Sequence, residues 1–263
     1  MKSLLNRLVH FLLRTMHGSK SVSEPERMAY LAQAKAVNRE LSCWLADRPH
    51  EYIGLGQNCN ASWYIKASGN KRGSYPFDWV FTTPEIILDM LGDDFEAFLD
   101  RSKFIPHGTD AGHERYHEWF FGHRNPASSD KDHDYLKRCV ERWNARMASK
   151  EPIVFVTIVL NEFEKRKRWR IGFTKGFSLP KAQTISDFDQ LKNKLLSINP
   201  NCRFLFIEQY TEQAFSMNIQ HKDDHSLWVK FNSMGINSGV QYVNRVDDEA
   251  MKILLSGPDQ TSN

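Results

Sequence analysis

Cys59 is the residue whose surroundings in this sequence best suit chemistry. An apolar run at residues 52–55 predicts a short strand, Gly56 predicts a turn, and residues 61–67 have helical character. The free N–H groups and the positive dipole end of a helix N-terminus favour a thiolate over a thiol. Cys59 is therefore the predicted nucleophile, and the alternative is a buried cysteine that only fills space.

A nucleophilic thiol needs a base, a group that orients the base, and donors for the oxyanion. His123 ends an aromatic run where a strand is predicted to stop, which makes it the preferred base. Asp78 or Asn161 would orient its imidazole, although a carboxylate between two aromatic residues is more often a buried hydrogen-bond anchor. Backbone N–H groups near Cys59, with help from Gln57, would bind the oxyanion.

A row of arginines on a predicted helix offers a second kind of chemistry. Arg138, Arg142 and Arg146 recur every four residues within the predicted helix 130–149, and residues 165–170 form a basic cluster. Such residues form a solvated face or bind a phosphate or carboxylate. These basic residues therefore leave an alternative function, that of a transferase acting on a sugar or another phosphorylated anionic substrate.

Four histidines between positions 107 and 123 raise the question of a metal site. His113 and His117 have the His-Glu-x-x-His spacing of zinc proteases. Residues 116–121 instead predict an aromatic strand, in which positions i and i+4 lie about 13 Å apart. We therefore expect no metal and no cofactor.

Several segments together resemble the bacterial family of papain-like cysteine peptidases, over about residues 50–160. The matching segments are Gly54-Leu-Gly-Gln-Asn-Cys59, Ser74-Tyr-Pro-Phe-Asp-Trp79, Thr83-Pro-Glu85, Asp94-Phe-Glu-Ala-Phe-Leu99, Glu118-Trp-Phe-Phe-Gly-His123 and Arg138-Cys-Val-Glu-Arg-Trp143. The resemblance implies that Cys59 is the nucleophile and His123 its base, and that Asp78 and Trp79 have structural or orienting places. The candidate substrate-binding residues are Asn58, Trp79, Arg138 and Arg142.

The elements that would position these residues predict an α/β fold with a mostly parallel central sheet flanked by helices. Residues 152–160 and 202–208 are continuous apolar runs, and a predicted helix at 185–198 connects them. Ligands in such sheets bind at the carboxyl ends of the strands, where Cys59 and Asn161 would lie. Two short final strands are predicted within residues 226–246. This layout differs from the two lobes of papain.

The amino-terminal 17 residues predict a basic amphipathic helix. Their apolar positions share one side, but Arg7 and Arg14 interrupt them, so neither a membrane span nor a signal peptide is expected. Such a helix makes peripheral membrane contact, packs on its own domain or mediates self-association. The predicted division is helix and linker at 1–24, one α/β domain at 25–257 and a loose tail at 258–263.

Composition excludes several classes of protein. The chain has 263 residues, of which 41% are hydrophobic and 25% charged, enough for a sizeable core. A net charge of +3 is too small to predict nucleic-acid binding. The four cysteines are scattered and predict no disulfide, which fits a protein of the reducing cytoplasm. If residues 1–17 bind lipid, the protein is expected at the inner face of the membrane.

The predicted function is that of a cysteine-dependent hydrolase, a papain-like peptidase or related acyl hydrolase, with a small-molecule or peptide substrate. The alternatives are the transferase and a non-catalytic binding protein tethered to a membrane by residues 1–17.

Overall fold

The computed structural model describes residues 22–46, 50–161, 172–180, 182–211 and 214–257. Its central sheet has five strands in the spatial order β1-β5-β6-β8-β7, with all neighbours parallel except β7, which runs antiparallel to β8. These strands are β1 (Glu51–Gly54), β5 (Ile153–Leu160), β6 (Cys202–Thr211), β7 (Ser216–Lys222) and β8 (Ser226–Ser233). The predicted α/β class with a mostly parallel sheet is therefore confirmed.

Helices cover both faces of the central sheet. The described helices are α1 (Glu24–Leu45), α2 (Asn60–Ala67), α3 (Pro84–Gly92), α4 (Glu96–Leu99), α5 (Asp130–Ala148), α6 (Asp189–Ile198) and α7 (Arg245–Leu255). Apolar residues of α1, α2 and α7 pack on one face, and those of α3, α5 and α6 pack on the other. All eight residues of β5 are buried, as expected for a strand covered on both faces.

A small antiparallel sheet extends the second layer. It consists of β2 (Phe104–His107), β3 (Asp110–His113) and β4 (His117–Phe121) in sequential order. Phe104, Phe120 and Phe121 pack into the same hydrophobic cluster as α3 and α5. This sheet therefore shares a core with the main sheet.

Side-chain caps fix where the main helices begin. Ser23 and Glu26 form a reciprocal capping box ahead of α1, and Thr83 caps α3 with Pro84 in the first turn. Ser129 caps α5, and Asn244 accepts hydrogen bonds from two backbone N–H groups of α7. These boundaries follow from local sequence, since each cap satisfies N–H groups that have no partner within the helix.

The carboxyl-terminal part corrects the prediction of two final strands within residues 226–246. Only β8 forms there, followed by a loop with an isolated bridge between Asn237 and Tyr242. The prediction also missed β7 and α7. The Asn244 cap and the acidic first turn of α7 were sufficient to indicate that helix.

Three predicted segments lie outside the described residues: the amphipathic helix at 1–17, the basic cluster at 165–170 and the tail at 258–263. Among the helices that the structure does describe, none is long and apolar enough to span a bilayer.

Candidate functional site

The connection from β1 to α2 places Cys59 at the carboxyl edge of the central sheet. The Leu55 N–H donates to the carbonyl of Val156 over 2.9 Å, which extends the pairing of β1 with β5. A Cβ atom on Gly54 would lie 2.8 Å from Ser62 Oγ, and one on Gly56 would overlap the carbonyl oxygen of Asn58. Gly54 is therefore needed for the close approach of β1 to α2, and Gly56 for the tight turn before Cys59.

Cys59 is the residue immediately before α2, and its side chain is 9% exposed. Burial raises the pKa of the Cys59 thiol to about 12; its own backbone N–H lowers the pKa, and the nearby Asp78 carboxylate raises it. Burial therefore opposes the thiolate that the helix N-terminus was expected to favour, and it outweighs the lowering by the backbone N–H. Cys59 is a protonated thiol at neutral pH.

A network of amide groups holds the Cys59 loop against β5. Gln57 Nε2 donates to Gln183 Oε1 over 2.8 Å, and Gln57 Oε1 accepts the Leu160 N–H over 3.2 Å. The side chain of Asn161 donates to the carbonyl of Gln183 and accepts its N–H, both over 3.2 Å. Gln57 and Asn161 both bind Gln183 in contacts that hold the loop, and the Gln57 amide nitrogen is already engaged.

A buried carboxylate lies at the same sheet edge. Glu208 of β6 is 3% exposed, and its Oε1 accepts from Tyr210 Oη over 2.8 Å and from Asn161 Nδ2 over 3.4 Å. Within the described ranges, no lysine or arginine pairs with Glu208. The edge therefore carries a carboxyl group beside amide side chains.

Two buried asparagines on either side of Cys59 have unused hydrogen-bonding atoms. Asn58 Oδ1 accepts the Asn60 N–H over 2.9 Å, but Asn58 Nδ2 and both side-chain polar atoms of Asn60 have no partner in the part of the chain described. These residues are 2% and 0% exposed. An unpaired buried amide costs about 1–3 kcal/mol and needs an explanation, of which a catalytic role is one.

His123 is exposed in the turn after β4, with a left-handed φ of 80°. Its backbone N–H donates to the Asp110 carboxylate over 3.3 Å. Neither its ring nor any other imidazole hydrogen-bonds to Cys59 in the described ranges. The structure does not bring the predicted pair into contact.

Asp78 is fully buried and has partners other than a histidine. Its carboxylate accepts from Ser62 Oγ over 2.7 Å, from Lys71 Nζ over 2.6 Å and from the Tyr75 N–H over 2.8 Å. These bonds tie α2 to the following loop. The alternative of a structural anchor fits these contacts, whereas orientation of His123 does not.

The predicted substrate-binding residues other than Asn58 occupy different environments. Trp79 is half-buried and lines a large cavity. Arg138 is exposed on α5. Arg142 Nε donates to the Ser74 carbonyl over 2.9 Å, and its Nη2 lies 3.3 Å from Cys139 Sγ, so Arg142 supports the loop before Trp79.

His113 and His117 do not form a metal site with each other. His113 and His117 are paired residues of two antiparallel strands, His113 Nε2 lies 2.9 Å from the Ala97 carbonyl, and the His117 ring stacks on Phe81. Among the described residues, no three His, Cys, Asp or Glu side chains are grouped closely enough to hold an ion.

Sequence reasoning missed Gln183, Asn60 and Lys71 as parts of this region. Gln183 lies in a loop with no periodic pattern, and its role depends on a contact with Gln57 that is 126 positions away in the chain. Asn60 could have been found, because asparagine at a helix start commonly has a polar role.

Comparison with family models, curated proteins and solved structures finds no match to this chain. The resemblance to papain-like cysteine peptidases therefore stays a prediction.

Proposed function

We propose that this protein is a cysteine-dependent acyl hydrolase in which Cys59 attacks the carbonyl carbon of an ester or amide substrate. The observation that carries this proposal is the pair of buried, partly unpaired amide side chains, Asn58 and Asn60, on either side of Cys59. The resemblance of the surrounding motifs to cysteine peptidases supports the same reaction class.

The position of Cys59 in the fold supports the proposal. It follows the first parallel strand and precedes α2, at the sheet edge where ligands of such folds bind. The Asn60 N–H already donates to Asn58 Oδ1, but the N–H groups of Ala61 and Ser62 have no helical partners and can donate to a developing oxyanion. Asn58 Nδ2 and Asn60 Nδ2 are further donors that are free in the described structure.

The reaction would proceed by acyl transfer through a thioester. The Cys59 sulfur forms a bond to the acyl carbon, the bond to the alcohol or amine breaks, and the thiol proton passes through a base to that leaving group. Water then attacks the thioester, releases the acid and returns the proton to Cys59.

The base has to remove the thiol proton during the attack, because burial keeps Cys59 protonated beforehand. His123 is the proposed base, and its ring would have to approach Cys59 when substrate binds. Catalytic hydrogen bonds are often long without substrate and shorten in the complex. Loss of His123 should then lower turnover about 10²- to 10⁴-fold.

Turnover by matched variants tests the proposal. Wild-type protein is assayed with 4-nitrophenyl esters and a fluorogenic peptide library, beside Cys59→Ala, Asn58→Ala and the control Cys43→Ala, which changes an exposed cysteine of α1. We expect Cys59→Ala to abolish turnover, Asn58→Ala to lower it about 10²-fold or more, and Cys43→Ala to leave it unchanged.

Undiminished turnover in Cys59→Ala would refute the hydrolase proposal. If Cys59 is required but His123→Ala turns over normally, the nucleophile assignment holds and the base assignment is wrong.

A further inference from the structure

A basic cavity lies apart from the Cys59 loop. Its volume is about 410 Å³, whereas two other pockets hold about 20 and 10 Å³. Lys66 at the end of α2, Lys71 and Arg72 in the next loop, and Arg124 after β4 contribute to its lining. We call it the cationic cavity. No residue of the loop 55–59 lines it, and Lys66 lies about 10 Å along α2 from Cys59 at 1.5 Å per residue.

The charges of the cationic cavity are only partly neutralised. Lys71 pairs with buried Asp78 at 2.6 Å, and Arg124 pairs with Asp132 at 3.1 Å. Lys66 and Arg72 are both exposed, and within the described part of the chain no carboxylate lies within ion-pair distance of either. No acidic residue lines the cavity. Two positive charges are therefore left for a ligand.

Aromatic rings form another part of the lining. Trp79 and Tyr135 are both half-buried, and the Arg124 guanidinium carbon lies 3.5 Å from the centre of the Tyr135 ring. Half-buried rings at a cavity wall provide a flat apolar surface for a planar group.

Contacts behind the lining hold it in place. Arg142 of α5 donates to the Ser74 carbonyl over 2.9 Å, and the Asp78 carboxylate accepts the Tyr75 N–H over 2.8 Å. The loop that carries Arg72 is thus tied to α5 and to the buried Asp78. A site with a fixed wall loses less conformational entropy when a ligand binds.

We propose that the cationic cavity binds a phosphate monoester that carries a planar ring. Lys66 and Arg72 hold the phosphate, because its charge of nearly −2 complements their two unpaired positive charges. The ring packs against Trp79 and against the Arg124 guanidinium that covers Tyr135. A volume of about 410 Å³ falls within the range of small-molecule sites and is large enough for a mononucleotide.

Titration calorimetry with AMP, adenosine and inorganic phosphate as probes tests this site on the full chain. We expect AMP to bind, and adenosine to bind about tenfold more weakly or worse because it lacks the phosphate. Lys66→Ala and Arg72→Ala should each weaken AMP binding about tenfold, the effect of losing one charge-assisted contact. Arg72→Lys should restore most of the affinity.

Lys35→Ala and Arg39→Ala are matched controls, because they remove the same charges from exposed positions of α1. They should bind AMP like the wild type. Cys59→Ala should also bind AMP normally. AMP binding would therefore support this site even if the hydrolase proposal is wrong.

The proposal is overturned if AMP and phosphate do not bind at millimolar concentration, or if AMP binds equally well to Lys66→Ala and Arg72→Ala. Binding to vesicles that contain phosphatidic acid, without binding of AMP, would also overturn it and would assign the basic residues to a membrane surface.

Discussion

The protonation of Cys59 decides how this residue can react. Burial raises the pKa of its thiol to about 12 and outweighs the lowering by its backbone N–H. A cysteine of this kind is a poor nucleophile toward reagents that need a preformed thiolate. It can still attack a bound acyl group if a base takes the proton during the attack and donors stabilise the oxyanion.

Alkylation by iodoacetamide therefore has a predicted pH dependence. Because burial raises the pKa of the Cys59 thiol well above its ordinary value, little thiolate is present near neutral pH, and the rate should still be rising at about pH 10 without levelling off. Mass-spectrometric peptide mapping measures this rate, with a short unstructured cysteine peptide as a control whose rate levels off about one pH unit above its ordinary pKa of about 8.5. A rate at Cys59 that is already maximal below neutral pH would contradict the burial argument.

The sequence could identify Cys59 but not the state of its thiol. A cysteine before a helix is visible in the chain, whereas burial is a property of the packed structure. Asp78 shows the same limit, because its two possible roles differ only in what it contacts. Lys71 and Ser62 lie within 16 positions of Asp78, yet no periodic pattern connects them to it.

The connection between β1 and α2 is the element that positions the candidate site. Gly56 lets the chain turn sharply, and its carbonyl accepts a hydrogen bond from Thr82, the residue before the α3 cap. Gln57 then fastens the turn to β5 through the Leu160 N–H.

Gly56→Ala tests this account of the turn. The added Cβ would overlap the Asn58 carbonyl, so we expect the free energy of unfolding to fall by about 1–3 kcal/mol, as for other overpacked sites. Gly92→Ala is the matched control, because a Cβ there meets nothing within 4 Å. Urea unfolding measures both variants, and equal stability of Gly56→Ala and wild type would contradict the account.

Elements with strong local signals were predictable, and those that depend on distant partners were not. The runs that became β5 and β6 are apolar throughout, and α3 begins at the predicted Thr-Pro pair. The edge strand β7 alternates only weakly between buried and exposed residues, and its place is set by pairing with β8. The local sequence of a strand does not specify which other strand it pairs with.

At the scale of the whole molecule, the central sheet separates two hydrophobic clusters. One lies under α1, α2 and α7, and the other joins α3, α5 and α6 to the small sheet. The Cys59 loop belongs to the carboxyl edge of the sheet, whereas the cationic cavity lies beyond the other end of α2. The fold thus carries two separate candidate sites joined by one short helix.

The central claim, that Cys59 is an acyl-accepting nucleophile, is tested most directly by trapping the acyl-enzyme. The protein is mixed briefly with 4-nitrophenyl acetate at neutral pH, quenched in acid and mapped by mass spectrometry. We expect acetylation of Cys59 ahead of the more exposed Cys43, and slow modification of Cys59 by iodoacetamide at the same pH. Acetyl groups on Cys43 or on lysines, with Cys59 unmodified, would contradict it.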